Sequence, residues 1–223
     1  MTKKHTRRAI LAGGFASFVT GCAEKPVIID AFNSLKSSIV GFPSAPIDRA
    51  IINSIPYATI SAKIGISGRN ILVLAKKERD NLHWTSSDRV VIVTRHGRVV
   101  KTAGLPENIK DTHLYTPDPL NRALHVLDGP RALSRTIDID LNHRYAIPIT
   151  SVFEEIGLRE ITISDLKIKT RLYIERNTAH TLNWSFNNFF WIDEFDGYVW
   201  KSRQRIAQTF DSIEIETLKP PSS

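Results

Sequence analysis

The chain has 223 residues, enough for one domain with a short leader. Its single cysteine excludes an intramolecular disulfide, so packing must hold the fold together. The formal net charge of +7 comes from 30 Lys and Arg against 23 Asp and Glu, and these charges are interspersed along the sequence, which argues against nucleic acid as a partner.

The first 21 residues have the pattern of a secretory signal that is removed after export. Four cations with no acid precede an apolar run over residues 9–19, which is too short for a membrane-spanning helix of about 20 residues. The box Val19-Thr20-Gly21-Cys22 follows, where small residues fit a peptidase cleft and the thiol accepts a diacylglyceryl group. We therefore predict a lipoprotein signal peptide over residues 1–21, lipidated Cys22 as the first mature residue and a tether over residues 22–26. A conventional signal peptide with an incidental cysteine is the alternative.

Two features of the leader bear on the destination of the chain. Ala23 follows the cysteine where an aspartate would be the usual signal for retention in the inner membrane. We therefore expect a lipid-anchored protein of the outer membrane that faces the periplasm. Arg7-Arg8 resembles a twin-arginine signal, so the Sec and twin-arginine export routes both remain open.

Residues 27–218 are predicted to form a single β-rich domain, followed by a flexible tail over residues 219–223. The domain begins with an amphipathic helix, because apolar residues recur at helical spacing between Ile28 and Ile39. Beyond Ile55, β-branched and aromatic runs between turn residues predict an all-β fold, a mainly antiparallel barrel or highly curved sheet. The predicted strands are 57–64, 70–77, 89–95, 98–103, 133–140, 146–155, 158–163, 166–176, 189–193 and 198–203.

The connections between these strands carry their own signals. His96-Gly97 and Asp196-Gly197 are pairs typical of tight hairpin turns. Residues 104–131 contain four prolines and no sustained period, so we expect an ordered surface connection with one helical turn around residues 120–127. The last hairpin is expected to be the main structural element of the barrel, with Trp191 and Trp200 buried.

Metal and cofactor chemistry has no support in the sequence. Neither a His-Glu-x-x-His motif nor a cysteine pair is present, and no Gly-x-Ser-x-Gly elbow marks acyl transfer. We predict no cofactor and no metal site. The histidines of the mature chain, none of them at metal-ligand spacing, are His83, His96, His113, His125, His143 and His180.

Acidic residues near tryptophans offer one enzymatic hypothesis, since glycosidases combine paired carboxylates with aromatic sugar platforms. Ordinary turn and core positions explain the same residues, and we favour that interpretation. Two carboxylates facing each other in a cleft would favour an enzyme. The acids are Glu175, Asp193, Glu194 and Asp196, and the tryptophans are Trp184, Trp191 and Trp200.

Cations cluster at two places in the sequence. Arginine forks suit carboxylates and phosphates, so these side chains are candidates for contact with an acidic glycan or a partner protein. Alternating cations on strands are also typical of an ordinary solvated face. The candidate contacts are Arg95, Arg98, Lys101 and Arg203; the clusters also contain Arg89, Lys201 and Arg205.

Several strings together resemble the GfcB/YjbF family of group 4 capsule and exopolysaccharide lipoproteins. The resemblance covers most of the mature chain and implies a mainly β outer-membrane lipoprotein associated with polysaccharide assembly or secretion. It supplies no catalytic residue, and it implies that Cys22 is the acylated one. The strings are Ile55–Ile60, Trp84–Arg89, Thr94–Leu105 and Trp200–Gln204.

The sequence thus predicts a non-catalytic outer-membrane lipoprotein that assists assembly or export of capsule or exopolysaccharide. Its expected partners are the membrane, through the lipid anchor, together with polysaccharide and polysaccharide-export proteins. Two alternatives stay open: a polysaccharide-modifying enzyme that uses the carboxylates near the last hairpin, and a structural envelope lipoprotein without a glycan ligand.

Overall fold

A computed structural model describes residues 47–65, 67–121, 129–209 and 212–222. Within these ranges, 12 strands form one antiparallel sheet, preceded by a short α-helix, α1 (Arg49–Ser54). No helix in the described ranges combines the length and apolar character that crossing a bilayer requires. The strands are β1 (Thr59–Ile64), β2 (Arg69–Glu78), β3 (Asn81–Thr85), β4 (Val91–Arg95), β5 (Arg98–Ala103), β6 (Ile109–Leu114), β7 (Arg131–Ile139), β8 (Arg144–Ile163), β9 (Leu166–Ala179), β10 (Trp184–Asp193), β11 (Val199–Gln204) and β12 (Ile213–Lys219).

The sheet curls into a nearly closed barrel whose strands run in the order β5-β4-β3-β2-β1-β12-β11-β10-β9-β8-β7-β6. The edge strands β5 and β6 meet at a seam that side chains close. The Thr112 hydroxyl of β6 donates to the Val100 carbonyl of β5 at 2.9 Å, and the Ile109 amide donates to Thr102 Oγ1 at 3.0 Å. These bonds satisfy backbone groups that an open edge would expose for pairing with another chain.

Gln204 adds a second closure across the barrel. Its side chain accepts a hydrogen bond from the Val99 amide at 3.0 Å and donates one to the Gly97 carbonyl at 2.9 Å. The Gln204 side chain therefore forms hydrogen bonds to β5 that a neighbouring strand would otherwise form at this edge. As a result, the β4–β5 turn lies directly against β11.

The interior contains two apolar clusters with polar side chains between them. Alternation along the strands turns every second residue inward. On β9, Tyr173 belongs to one cluster and Ala179 to the other, and the buried Glu175 and Asn177 lie between them. On β10, Asn188 has the same intermediate position.

A third apolar cluster lies on the outside of the barrel wall. The tip of the long β8–β9 hairpin packs Ile163 and Ile168 against Val73 of β2 and Leu218 of β12. Ile52 of α1 completes the cluster. The hairpin and the helix together cover the outer face of strands β1, β2 and β12 close to the point where the chain enters the barrel.

The structure confirms the predicted all-β fold and both hairpin turns. His96 and Gly97 have φ values of 50° and 86°, as the β4–β5 turn requires, and Gly197 has φ of 71°. The count of ten strands was wrong: β3, β6 and β12 were not predicted, and the segments 146–155 and 158–163 are one strand, β8. The connection predicted over residues 104–131 contains β6. Several predictions lie outside the described residues: the signal peptide, Cys22 and the tether over 22–26, the helix over 28–39 and most of the helical turn at 120–127.

The last hairpin is present, but the prediction that its tryptophans are buried is wrong. Phe190 and Ile192 face the interior and are 0% and 3% exposed. Trp191 and Trp200 point away from the interior and are half-buried. Alternation permits only one of the two aromatic sets to enter the barrel, and the smaller Phe and Ile occupy the inner positions.

Replacing Gly97 by alanine should destabilise the barrel more than replacing Gly129. Both glycines have positive φ, 86° and 84°, so both variants carry the same backbone strain. A Cβ at residue 97 would lie 2.5 Å from Val199 Cβ, whereas a Cβ at residue 129 meets nothing within 4 Å. We expect an additional loss of about 1–3 kcal/mol for Gly97→Ala, measured by urea unfolding. Equal losses in the two variants would contradict this account of the turn.

Candidate functional site

Arg98 of β5 is the centre of a buried ionic cluster in the barrel. Its guanidinium donates to both carboxylate oxygens of Asp118, with Nε–Oδ2 at 2.7 Å and Nη2–Oδ1 at 2.9 Å. Its third nitrogen, Nη1, donates to Glu175 Oε1 of β9 at 2.7 Å. The face of the guanidinium lies 5.6 Å from the ring centroid of Phe190. Arg98 therefore joins β5 to the β6–β7 connection and to the opposite wall of the barrel.

Arg135 of β7 approaches the same carboxylate from the other side. Its Nη1 donates to Glu175 Oε1 at 3.1 Å and to Ser151 Oγ at 2.8 Å, and its Nη2 donates to Asn177 Oδ1 at 2.8 Å. The second Glu175 oxygen accepts a bond from Asn188 Nδ2 at 2.7 Å. With two arginines and two carboxylates, the cluster is neutral, and its polar atoms have partners.

The arginines keep both buried carboxylates ionised. Burial alone would raise the pKa of Glu175, but the charges of Arg135 and Arg98 outweigh it and hold this pKa below its ordinary value. Burial would also raise the pKa of Asp118. The charge and hydrogen bonds of Arg98 have a larger effect in the opposite direction, so this pKa lies below its ordinary value. The pKa of Arg98 lies above its ordinary value because the two carboxylates overcome the effect of burial.

The stability that these carboxylates contribute should depend on pH with a defined sign. Their pKa values are lower in the folded than in the unfolded chain, so the contribution is fully present above about pH 5 and is lost as the pH falls through the folded pKa values. At neutral pH, Glu175→Gln should cost about 3–5 kcal/mol because it leaves a buried arginine without its partner. The variant should also show a shallower acid dependence of the free energy of unfolding than the wild type.

Glu160→Gln is the matched control for this substitution. Glu160 is 54% exposed and pairs with Lys167 at 3.4 Å on the β8–β9 hairpin, so its loss should cost about 0–1 kcal/mol. Chemical unfolding of the three proteins between pH 3 and pH 7, a range chosen to bracket the ordinary carboxyl pKa of about 4, provides the measurement. Equal stability of the two variants would show that the cluster does not hold the barrel together.

A separate cleft of about 260 Å³ opens at one end of the barrel. The antiparallel order places the β2–β3, β4–β5 and β10–β11 turns and the end of β12 at this same end. The segment that enters β1 from α1 reaches the barrel there too. Residues from all four places line the cleft, including Arg79, His96, Tyr198 and Thr217.

Aromatic rings form one wall of the cleft. Tyr198 and Trp200 of the β10–β11 hairpin make an edge-to-face pair with ring centroids 5.1 Å apart, and both side chains are half-buried. Trp200 Nε1 donates to Asp193 Oδ2 at 2.9 Å, and the Tyr198 hydroxyl lies 3.3 Å from Thr217 Oγ1. These bonds fix both rings at the opening.

The cations predicted as ligand contacts do not come together. Arg98 is 2% exposed, so the expectation that it contacts an external ligand is wrong; its charge is used inside the barrel. Arg95 is half-buried and donates to Asn81 Oδ1 at 2.9 Å. Lys101 is exposed on β5, and Arg203 is exposed on β11 above the Phe189 ring at 4.6 Å. None of these four residues lines the cleft.

The carboxylates considered for catalysis are also at different places. Glu175 is buried in the ionic cluster and is 0% exposed. Asp193 and Asp196 shape the β10–β11 turn, where Asp193 Oδ1 accepts from the Phe195 amide and Asp196 Oδ1 from the Tyr198 amide, both at 2.8 Å. In the described ranges, no group of three His, Cys, Asp or Glu side chains could hold a metal ion.

No local pattern in the sequence predicts the cleft, although several of its residues belong to recognisable motifs. His96 and Gly97 were assigned only to a turn, and Trp200 to a core. Lys77 and Arg79 were not singled out, because a charged residue at the end of a strand is usually solvated. The lining residues come from separate strands, and only the order of strands in the closed sheet brings them together.

These features define a small, nearly closed antiparallel β-barrel with a charged interior and a cleft at the end where the chain enters. The chain belongs to the family described as "Group 4 capsule polysaccharide lipoprotein gfcB, YjbF", whose model matches residues 32–218.

Relatives of known name and structure agree with this family. The uncharacterized lipoprotein GfcB of Escherichia coli K12 is 27% identical over 214 residues, which cover 96% of this chain and 99% of the relative. The uncharacterized lipoprotein YjbF of the same organism is 26% identical over 189 residues, 84% of this chain and 87% of the relative. The crystal structure of the hypothetical lipoprotein YmcC from Escherichia coli K12 matches with a TM-score of 0.78 and 26% identity, covering 90% of this chain and all of that one.

Proposed function

We propose that this protein is an outer-membrane lipoprotein that faces the periplasm and assists the assembly or export of capsule or exopolysaccharide without catalysing a reaction. Its membership of the group 4 capsule lipoprotein family, over residues 32–218, carries the proposal. The lipobox at Cys22 and the absence of Asp at position 23 support the lipid anchor and the outer-membrane destination.

The positions of the carboxylates support a binding role over a catalytic one. A glycosidase needs two carboxyl groups about 5–10 Å apart on either side of the bond that it cleaves. Glu175 already forms ion pairs with Arg98 and Arg135, while Asp193 and Asp196 accept backbone hydrogen bonds in a turn. Three of the four acids from which the enzymatic alternative was drawn are thus occupied in building the barrel.

Lipidation of Cys22 is the first prediction of this proposal. Mass spectrometry of the mature N-terminus should find acyl chains on Cys22 and no residue before it. Several acyl chains give stable anchoring where one alone binds only marginally, so Cys22→Ser should leave the membrane fraction or remain unprocessed. An unmodified N-terminus at another residue would contradict the lipoprotein assignment, and recovery solely with inner-membrane markers would contradict the outer-membrane assignment.

Deletion of the gene tests the role in polysaccharide export. Cells that lack the protein should release less capsule or exopolysaccharide, and expression of the wild-type chain should restore it. Expression of Cys22→Ser should not restore export, because the unanchored protein cannot stay beside membrane-bound machinery. Protein level is measured in the same cells by immunoblot. Unchanged polysaccharide in the deletion strain would contradict the proposed function.

A further inference from the structure

The cleft at the end of the barrel has polar groups that the fold does not use. Lys77 and Arg79 line the cleft at the end of β2 and are exposed. Neither forms an ion pair with another residue in the part of the chain that the structure describes. Their neighbours differ in this respect, since Lys76 pairs with Glu78 at 3.2 Å and Lys201 pairs with Glu216 at 2.8 Å. Two cations at the mouth therefore have their charge available for a ligand.

The remaining polar groups of the cleft suit hydroxyl groups. Asp80 is 69% exposed and only approaches His96, with Oδ2 and Nε2 4.0 Å apart. A carboxylate accepts hydrogen bonds from hydroxyls, and an imidazole can donate or accept them. These two groups face the opening from the β2–β3 and β4–β5 turns. The rings of Tyr198 and Trp200 also line the cleft.

The combination of aromatic rings, hydrogen-bonding groups and free cations matches one ligand class. A sugar ring has an apolar face that packs on an aromatic side chain and a rim of hydroxyls that require donors and acceptors. A sugar acid adds a carboxylate, which lysine and arginine bind through charge-assisted hydrogen bonds. The volume of about 260 Å³ lies just below the usual range for small-molecule sites, so only a short saccharide segment would fit inside, with the rest of the polymer outside the mouth.

We propose that this cleft binds a short segment of anionic polysaccharide, with Lys77 and Arg79 contacting its acidic groups and Tyr198 and Trp200 stacking on its rings. This assignment rests on the proposed function and specifies the ligand of a non-catalytic site. It differs from the contacts predicted from the sequence, because Lys101 and Arg203 lie outside the cleft.

Binding by the purified, lipidated full-length mature protein in detergent tests this assignment. The probes are fragments of the extracellular polysaccharide of the producing cells, in native form and after chemical reduction of their carboxyl groups to alcohols. Calorimetry gives the affinity, and tryptophan fluorescence reports on Trp200 in the cleft. The native fragments should bind more tightly than the reduced ones, because only the native form carries the charges that the cations recognise.

Two double variants of equal charge separate the cleft from the rest of the surface. Lys77→Ala with Arg79→Ala should weaken binding by about tenfold or more, since a charge-assisted hydrogen bond is lost at each position. Lys101→Ala with Arg203→Ala removes the same two residue types outside the cleft and should leave the affinity unchanged. Asp80→Asn should strengthen binding, because the amide oxygen still accepts hydrogen bonds from hydroxyls while the negative charge that faces the acidic ligand is removed. A misfolded protein cannot give that gain, and thermal unfolding of every variant checks folding directly.

Equal affinity of the two double variants would overturn the assignment, as would equal affinity for native and reduced fragments or a wild-type protein that binds neither. Measuring polysaccharide export in cells shows whether the cleft assignment or the proposed function is wrong. If deletion stops export while the purified protein binds no fragment, the cleft assignment alone is wrong. If deletion leaves export unchanged while the cleft variants lose binding, the proposed function is wrong and the ligand class stands.

Discussion

The ionic cluster of Arg98, Asp118, Glu175 and Arg135 is the interaction on which the rest of this barrel depends. Arg98 comes from β5, whereas Arg135, Glu175 and Asp118 come from β7, β9 and the β6–β7 connection, so Arg98 and Asp118 are not neutralised until strands from both halves of the sheet have met. Buried charges are costly without partners, and a strand that slipped by one residue would turn its charge to the outer face. The cluster thus makes one register and one closure strongly preferred over the alternatives that apolar packing alone would permit.

Closure of the sheet in turn produces the cleft. Gln204 places the β4–β5 turn against β11, and Gly97 permits the close approach to Val199. The apolar clusters and the ionic layer fill the interior, while the space between the turns at the entry end stays open. A single end of the barrel therefore carries the free cations, the aromatic wall and the segment through which the chain enters β1.

Local signals explain what the sequence could predict and what it could not. His96-Gly97 and Asp196-Gly197 determine their own turns, so both hairpins were found. In β6, Lys110 and Asp111 are both exposed, which breaks the alternation by which a strand is recognised. In β12, Ile213 and Ile215 alternate with glutamates, a signal that was present and overlooked. Arg98 looks like a surface cation because its partners are 20 and 77 residues away in sequence, and no local pattern reveals such a pairing.

Because the cleft lies at the hairpin turns, the residues that line it and the residues that hold the barrel together differ in how freely they can be substituted. Residues that build the ionic layer must suit partners on several strands at once, so a change in one requires changes in others. Each turn at the mouth, by contrast, can vary in length and chemistry without altering the strands behind it, because turns tolerate insertion and substitution. Divergence among homologues should therefore concentrate at the mouth. Under the proposed function, bacteria that coat themselves with different polymers can keep one barrel and exchange only its rim.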